Sequence, residues 1–469
     1  MRRLSRILLT IIVVLIVVAA AIWVIAQWIS RRQTEESLAR QAAEIAAHRE
    51  AQRAETSVTP SVTTSVTPTA TPAPDSPPAP TIVWTKHWSD FRGARRDGHY
   101  TAGPIRTDWT TLKPLWRQPI GGGYASFVVA DGRAFTIEQR GNQEVAAAYD
   151  VLTGREVWTN AWNATFIESM GGAGPRATPT VHDGTLFVLG ATGELRALDA
   201  STGRVRWRAN ILDDASAGNL NWGMAASPLV VGNTVVTAPG GGNGRSIVAY
   251  DRETGRIAWS ALDDDAAYSS PMRVTLAGVD QIVVFLATRV VGVSLDGGAL
   301  LWEFPWSKGS NVAAQPVAIG DNRVFASTGD GAGGALIEIA RDGDRLTARE
   351  VWRTHRMKND FSSSVHHDGF IYGLDQGILA CIDAVSGELK WKGGRYGQGQ
   401  VLLASGHLVI TTDDGDVVLV RATPAGHQEV EKTPAVEGRT WNHPALADGF
   451  LLVRNAAQMA AFDLRPRAR

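Results

Sequence analysis

From about residue 112 to the C-terminus, short apolar runs alternate with turns rich in Gly, Asp and Asn. Residues 176–207 (RATPTVHDGTLFVLGATGELRALDASTGRVRW) show the pattern most clearly. Apolar stretches around Val181, Leu186, Leu195 and Val205 are separated by His182-Asp183-Gly184, Ala191-Thr192-Gly193 and Ser201-Thr202-Gly203. Runs this short, bounded by such turns, predict antiparallel strands rather than helices. Four strands to a unit, recurring about every 40–50 residues, predict a β-propeller.

The repeat also has a fixed internal spacing. An Asp stands eight positions and a Gly four positions before a Trp in Asp150/Gly154/Trp158, Asp199/Gly203/Trp207, Asp251/Gly255/Trp259 and Asp383/Gly387/Trp391. The unit ending at Trp302 keeps Gly298 but has Ser294 in the Asp position, and the unit ending at Trp352 has lost the turn. A Gly supplies the positive φ of a tight hairpin and an Asp bonds its N–H groups. The Trp is then expected to pack between one sheet and the next. Residues 401–421 form a seventh unit without a Trp, and the chain ends before an eighth can make its last strand. Residues 112–118, with Trp116, precede the first unit. If that strand completes the last blade, the ring closes through its termini and leaves no open sheet edge. The expectation is therefore an all-β, eight-bladed propeller. Seven blades is the alternative if 401–421 is an insertion.

The N-terminal part follows a different pattern. Residues 1–6 carry Arg2, Arg3 and Arg6, and 7–29 form an apolar run long enough to cross a bilayer. Its length favours an uncleaved signal anchor over a cleaved signal, and the charge bias keeps residues 1–6 in the cytoplasm. Residues 30–55 predict a solvated helical stalk, with a thin apolar stripe at Leu38, Ala42, Ile45 and Ala46. Residues 56–86 contain a Pro/Thr/Ser-rich linker expected to hold the propeller, 87–469, away from the membrane.

A net charge of -1 gives no basic field for nucleic acid. The single cysteine, Cys381, allows no intrachain disulfide. The G-x-G-x-x-G match at 329–334 lies between two strands, where no helix N-terminus exists to hold a phosphate.

The repeats resemble the tryptophan-docking units of the pyrroloquinoline quinone (PQQ) propeller superfamily, which includes quinoprotein alcohol dehydrogenases and BamB-type assembly lipoproteins. The region from HWSDFRGARRDGHY (87–100) onward is similar to bacterial PQQ-binding-like repeat proteins. GPRATPT, NWGMAASP, YSSP, MKNDFSSS and GRTWNHPAL carry that resemblance. It implies the propeller fold, with Trp116, Trp158, Trp207, Trp259, Trp302, Trp352 and Trp391 as structural docking residues. The lipobox cysteine of BamB-type relatives is absent near the start.

In a propeller the innermost strands line the central channel and the segments leading into them form one rim. Here those segments are rich in polar and aromatic groups: Tyr124, Arg176, Asn221, Trp222, Tyr268, Asn311, Lys358, Asn359, Arg395, Trp441 and Asn442. The cations suit an anionic or carbonyl-rich ligand and the tryptophans a planar one. Two function classes follow. The favoured one is a non-catalytic periplasmic binding or scaffold module, anchored in the inner membrane, monomeric, with no cofactor or metal, whose partner is a periplasmic protein or a small ligand at the rim. The other is a PQQ- and calcium-dependent dehydrogenase of alcohols or sugars, with Glu168 and Asp360 as the candidate catalytic carboxylates. The resemblance supplies no adjacent cysteines here for the disulfide that covers the quinone in alcohol-oxidising relatives.

Overall fold

The structure is a computed structural model that describes residues 2–57, 84, 88–309, 311–329 and 331–466. Within the first helix, the side chains of residues 1–14, 16, 17, 20, 24, 27, 30, 31 and 55–57 lie outside the description. Eight antiparallel sheets follow one another round a ring. Numbered from the first complete sheet, the blades cover 128–163, 180–210, 229–261, 272–305, 317–354, 365–395, 400–434 and finally 445–463. The last takes its fourth strand from Pro114–Pro119, which pairs antiparallel with Gln458–Asp463. The first strand of the ring thus closes the last blade. Residues 401–421 lie in a complete blade and are not an insertion.

The Asp/Gly/Trp spacing acts between blades. Trp207 lies on the outermost strand of blade 2, and its indole N–H donates to the Arg252 carbonyl at 2.8 Å in the outer hairpin of blade 3. A Cβ on Gly255 in that hairpin would lie 2.6 Å from the Trp207 ring, and its φ is +69°. Only Gly meets both constraints. Asp251 completes the turn by accepting from the Glu253 and Thr254 N–H groups. Trp116, Trp158, Trp259 and Trp352 sit in the same way over Gly154, Gly203, Gly298 and Gly387, and the Trp391 N–H reaches the Thr423 carbonyl. Trp302 departs from this arrangement. Its indole N–H bonds Gln281 of its own blade and its ring covers Gly292, because the next blade's outer hairpin, Gly333–Asp342 with Arg345–Thr354, is long and carries no docking turn.

Two elements depart from expectation. The stalk is not solvated. Helix α1 (Arg2–Ser57) runs down the side of the ring where blades 8 and 1 meet, burying Leu38, Ile45 and Arg49. Gln41 donates to the Ile120 and Ala456 carbonyls, and Arg49 donates to Gln118 and the Pro119 carbonyl, with its guanidinium 5.2 Å from the Tyr149 ring. The helix therefore covers the closing strand. An Ile45→Asp substitution is expected to destabilise the fold by ~2–4 kcal/mol, by burying an unpaired carboxylate. The check is a urea transition read by tryptophan fluorescence.

The second is the channel, which is not open. Residues 88–100 fill it from the end where the hairpins of the innermost strands lie. The Val129 N–H donates to the Trp88 carbonyl, the Val181 N–H to the Ser89 carbonyl and the Leu403 N–H to the Gly98 carbonyl. His99 and Tyr100 add a parallel strand to blade 7. Arg96, 2% exposed, donates to the Ser227 and Pro271 carbonyls at 3.1 and 2.8 Å, to the Pro228 carbonyl and to Thr180 Oγ1. Asp90 neutralises it at 2.7 Å. Arg92 donates to the Ser364 carbonyl at 2.7 Å, and burial lowers its pKa to about 10.

Of the linker 56–86, only Trp84 and the backbone of residues 56 and 57 are among the described residues. Its expected role as a spacer does not hold, because α1 already reaches the ring before the linker begins. The expected span 7–29 has most of its side chains outside the description. Among the described residues no helix is long and apolar enough to cross a membrane.

Candidate functional site: an aromatic cup at one mouth of the ring

The plug blocks one end of the channel and leaves a blind cup, with a cavity of about 150 Å³, at the other. Phe91 of the plug forms its floor, beside Ser227, Ser270 and His443. The wall comes from the segments leading into the innermost strands, tied blade to blade by a belt of hydrogen bonds. Backbone N–H groups of Ser126, Thr178 and Ser227 donate to the hydroxyls of Thr178, Ser227 and Ser270, each on the next blade. Each hydroxyl stands just before its strand, so in blades 2, 3 and 4 one small polar residue satisfies a buried N–H of the preceding blade.

Above the belt five rings form a continuous arc. Tyr268 meets Trp222 at 5.1 Å, Trp222 meets Phe361 at 6.4 Å, Phe361 meets Trp441 at 5.2 Å, and Trp441 stacks on Tyr124 at 5.3 Å. Trp222 belongs to blade 3 and Phe361 to blade 6, so the arc bridges the mouth. Offset and edge contacts of this kind rigidify a wall while leaving it apolar. Polar groups at its end are mutually satisfied. Arg176 packs 5.6 Å over Tyr124 and 4.8 Å over Phe166, and pairs with Glu168 at 2.8 Å. Glu168 also accepts the Met170 and Gly171 N–H groups, both at 2.6 Å. The Tyr124 hydroxyl donates to the Gly171 carbonyl at 2.6 Å, and the Trp441 indole to Asp413. Burial raises the Tyr124 and Tyr268 pKa values and lowers that of Arg176, though Glu168 pulls the guanidinium back.

Of the residues expected at the rim, Tyr124, Glu168, Arg176, Trp222, Tyr268 and Trp441 meet in the cup. The others do not. Asn221 and Asn311 are exposed outside it. Asn359 and Asn442 are buried links of the scaffold. The first donates to the Leu374 carbonyl and accepts from Ser364, and the second donates to the Gly123 and Ala125 carbonyls. Lys358 faces Asp375 at 3.6 Å. Arg395 ends the outermost strand of blade 6, Leu389–Arg395, at the ring's periphery. Asp360 lies against Gly329 and accepts from Gln398, away from Glu168's side of the cup. Phe91, Met170, Phe361 and Gln400 line the cup without having been singled out. For Phe361 a signal existed, since it stands beside Asp360 in the same segment.

Buried His443 contributes a pH dependence. Burial, aided by the nearby Arg92 charge, pushes its pKa down to about 3. Its folded pKa lies below the unfolded value, so the stability tied to its neutral form is complete above about pH 6.5 and is lost as pH falls toward 3. Unfolding midpoints measured across that range are expected to fall, and His443→Gln is expected to flatten the slope.

The geometry can be compared with known proteins. The family model described as outer membrane protein assembly factor BamB matches residues 141–393. The chain belongs to this family. The BamB of Burkholderia pseudomallei is 24% identical over 347 residues, which covers 68% of this chain and 81% of that protein. Tetrathionate hydrolase of Acidithiobacillus ferrooxidans is 27% identical over 218 residues, 46% of this chain, and the match spans only 36% of the hydrolase's length. Among solved structures, a europium-containing methanol dehydrogenase superposes with a TM-score of 0.63 at 12% identity, covering 80% of this chain and 98% of that one. At that identity the likeness is one of fold. The family match starts beyond the closing strand, the plug and α1, so those parts rest on this chain's own contacts.

The superfamily's cofactor, PQQ held with calcium, can be tested against these residues. Within the cup the one carboxylate is Glu168, and Arg176 and two backbone N–H groups engage both its oxygens. Among the described residues no three His, Cys, Asp or Glu side chains gather as a metal site. Cys381 is buried within blade 6. The donor set does not fit a calcium-bound quinone, and no reaction step is derived through one.

Proposed function

We propose that the protein is a membrane-anchored, exported propeller that works as a non-catalytic binding or scaffold module, taking up its partner through the aromatic cup. One observation carries this reading. The cup offers a broad apolar wall of five contacting rings, while the ionisable groups beside it are paired to one another and held in place. Such a wall buries an apolar group of a partner well and has no base or nucleophile free for chemistry. The relatives named as outer membrane protein assembly factors support a partner that is a protein. The anchor is supported by the 7–29 run, whose described large apolar side chains, Leu15, Ile22, Trp23 and Trp28 among them, stand 44–65% exposed with no protein to cover them.

The test uses the full-length protein, because α1 is part of the ring's closure. Trp441→Ala removes a ring in contact with both Tyr124 and Phe361, and is expected to weaken partner binding about 10-fold or more while leaving the unfolding midpoint within a few degrees. Arg176→Ala is expected to do the same by releasing Glu168 and Tyr124. Unchanged binding in both variants would remove the cup from the function. Saturable uptake of PQQ with calcium, together with dye reduction by an alcohol or sugar, would replace this reading with the dehydrogenase one.

A further inference from the structure

Helix α1 also fixes a direction. Its earlier contacts are at the cup's face. Gln41 reaches the Ile120 and Ala456 carbonyls, and Ala42 lies against Gly141 in a hairpin on that face. Ile120 leads through three glycines to Tyr124 in the cup wall. Its later contacts lie lower on the blade, where Arg49 and Arg53 meet Glu156, both at 3.6 Å, and Arg49 covers Tyr149. Followed backward, the unbroken helix Arg2–Ser57 leaves the ring on the side where the cup opens. The plug, at the other face, is where the chain returns: Trp84 meets Phe450 at 5.5 Å, and a Cβ on Gly132 would clash with it.

The distance follows from helix geometry. Leu38 is the first residue of α1 buried against the ring, and the apolar run ends at Ile29. Nine residues at ~1.5 Å each give about 14 Å of helix. A headgroup layer occupies about 5–7 Å of that. What remains is about 7–9 Å, close to the thickness of one layer of polypeptide, since packed sheets lie about 10 Å apart. Lipid tails cannot reach an apolar cup across such a gap, and a folded domain would not fit into it.

We infer that α1 holds the aromatic cup facing the membrane across a gap one polypeptide layer deep, so that the cup takes an apolar side chain from an exported segment of a membrane-embedded protein. This rests on the anchor proposed above, and the experiment separates the two. Cys381 is buried, so single-cysteine labels can be placed elsewhere: Met170→Cys at the cup and Val385→Cys, 70% exposed, in an outer turn of the opposite face. The full-length protein is reconstituted in vesicles containing lipid with a nitroxide on its headgroup. The dye at residue 170 is expected to lose more than half its fluorescence, and the dye at 385 less than a tenth. Equal or reversed quenching, in protein that resists an alkaline wash, overturns the orientation and leaves the anchor standing. Release by the wash overturns both. A photo-crosslinking residue at position 170 in native membranes is expected to yield adducts with an integral membrane protein that Trp222→Ala abolishes. Adducts with lipid alone, or with soluble proteins alone, overturn the proposed occupant.

Discussion

Arg96→Ala is expected to lower the unfolding free energy by ~3–5 kcal/mol. The guanidinium is the hub on which the plug meets the innermost strands. It donates to three carbonyls and a hydroxyl from blades 2, 3 and 4, and Asp90 cancels its charge at 2.7 Å. Its removal leaves those carbonyls facing a void and Asp90 without its cation, so desolvation and cavity terms add. Arg96→Lys keeps the charge but supplies three donors from one point instead of five in a planar fork, and is expected to recover less than half the loss. Denaturant midpoints of the two variants, compared at unchanged m-value, are the measurement. Near-equal stability of wild type and Arg96→Ala would mean that the plug is not a structural part of the ring.

Trp207→Ala is expected to cost ~3–5 kcal/mol, the range for deleting a buried aromatic from a packed interface. The ring is 8% exposed, lies 5.9 Å from Phe187 of its own blade and 6.5 Å from Tyr250 of the next, and covers the Gly255 turn. Trp207→Phe keeps most of that surface but leaves the Arg252 carbonyl without its 2.8 Å donor, so a loss of ~1–2 kcal/mol is expected. Gly255→Val attacks the same joint from the other side, through a strained φ and a clash with the indole. If docking is the basis of these losses, Trp207→Ala and Gly255→Val combined should cost clearly less than the sum of the two alone.

The stalk and the plug show why some of this architecture is hidden from composition. The face of α1 that meets the ring carries Leu38, Gln41, Ala42, Ile45, His48, Arg49 and Gln52 at helical spacing. Only three of these are apolar, so a hydrophobic stripe looks thin. The polar members nevertheless pair with Gln118 and with backbone carbonyls left free at the ring's closure. The plug is a similar case. A segment containing Arg92, Arg95, Arg96 and Asp97 has the composition of a solvated loop, yet Arg92 and Arg96 are among the most buried side chains described. What holds them is a set of acceptors at the innermost strands of blades 2, 3, 4 and 6, and no local pattern can announce an acceptor that separate blades assemble.

The sequence by itself determined the strand pattern and the Asp/Gly/Trp joints, because each depends on turns and spacings within about 50 residues. It favoured eight blades and a closing strand around Trp116, but the pairing of Pro114–Pro119 with Gln458–Asp463, more than 300 residues apart, is what decided both. It also brought forward Tyr124, Arg176, Trp222, Tyr268 and Trp441, since position just ahead of an innermost strand is enough to place a residue at one rim. Only the tertiary structure decided which rim residues meet, that one mouth is plugged and that α1 lies along the closing joint. Those outcomes depend on contacts between segments hundreds of residues apart, such as Arg92 with Ser364 or Gln41 with Ala456. Their partners are backbone carbonyls, which every residue carries and which therefore leave no mark in the sequence.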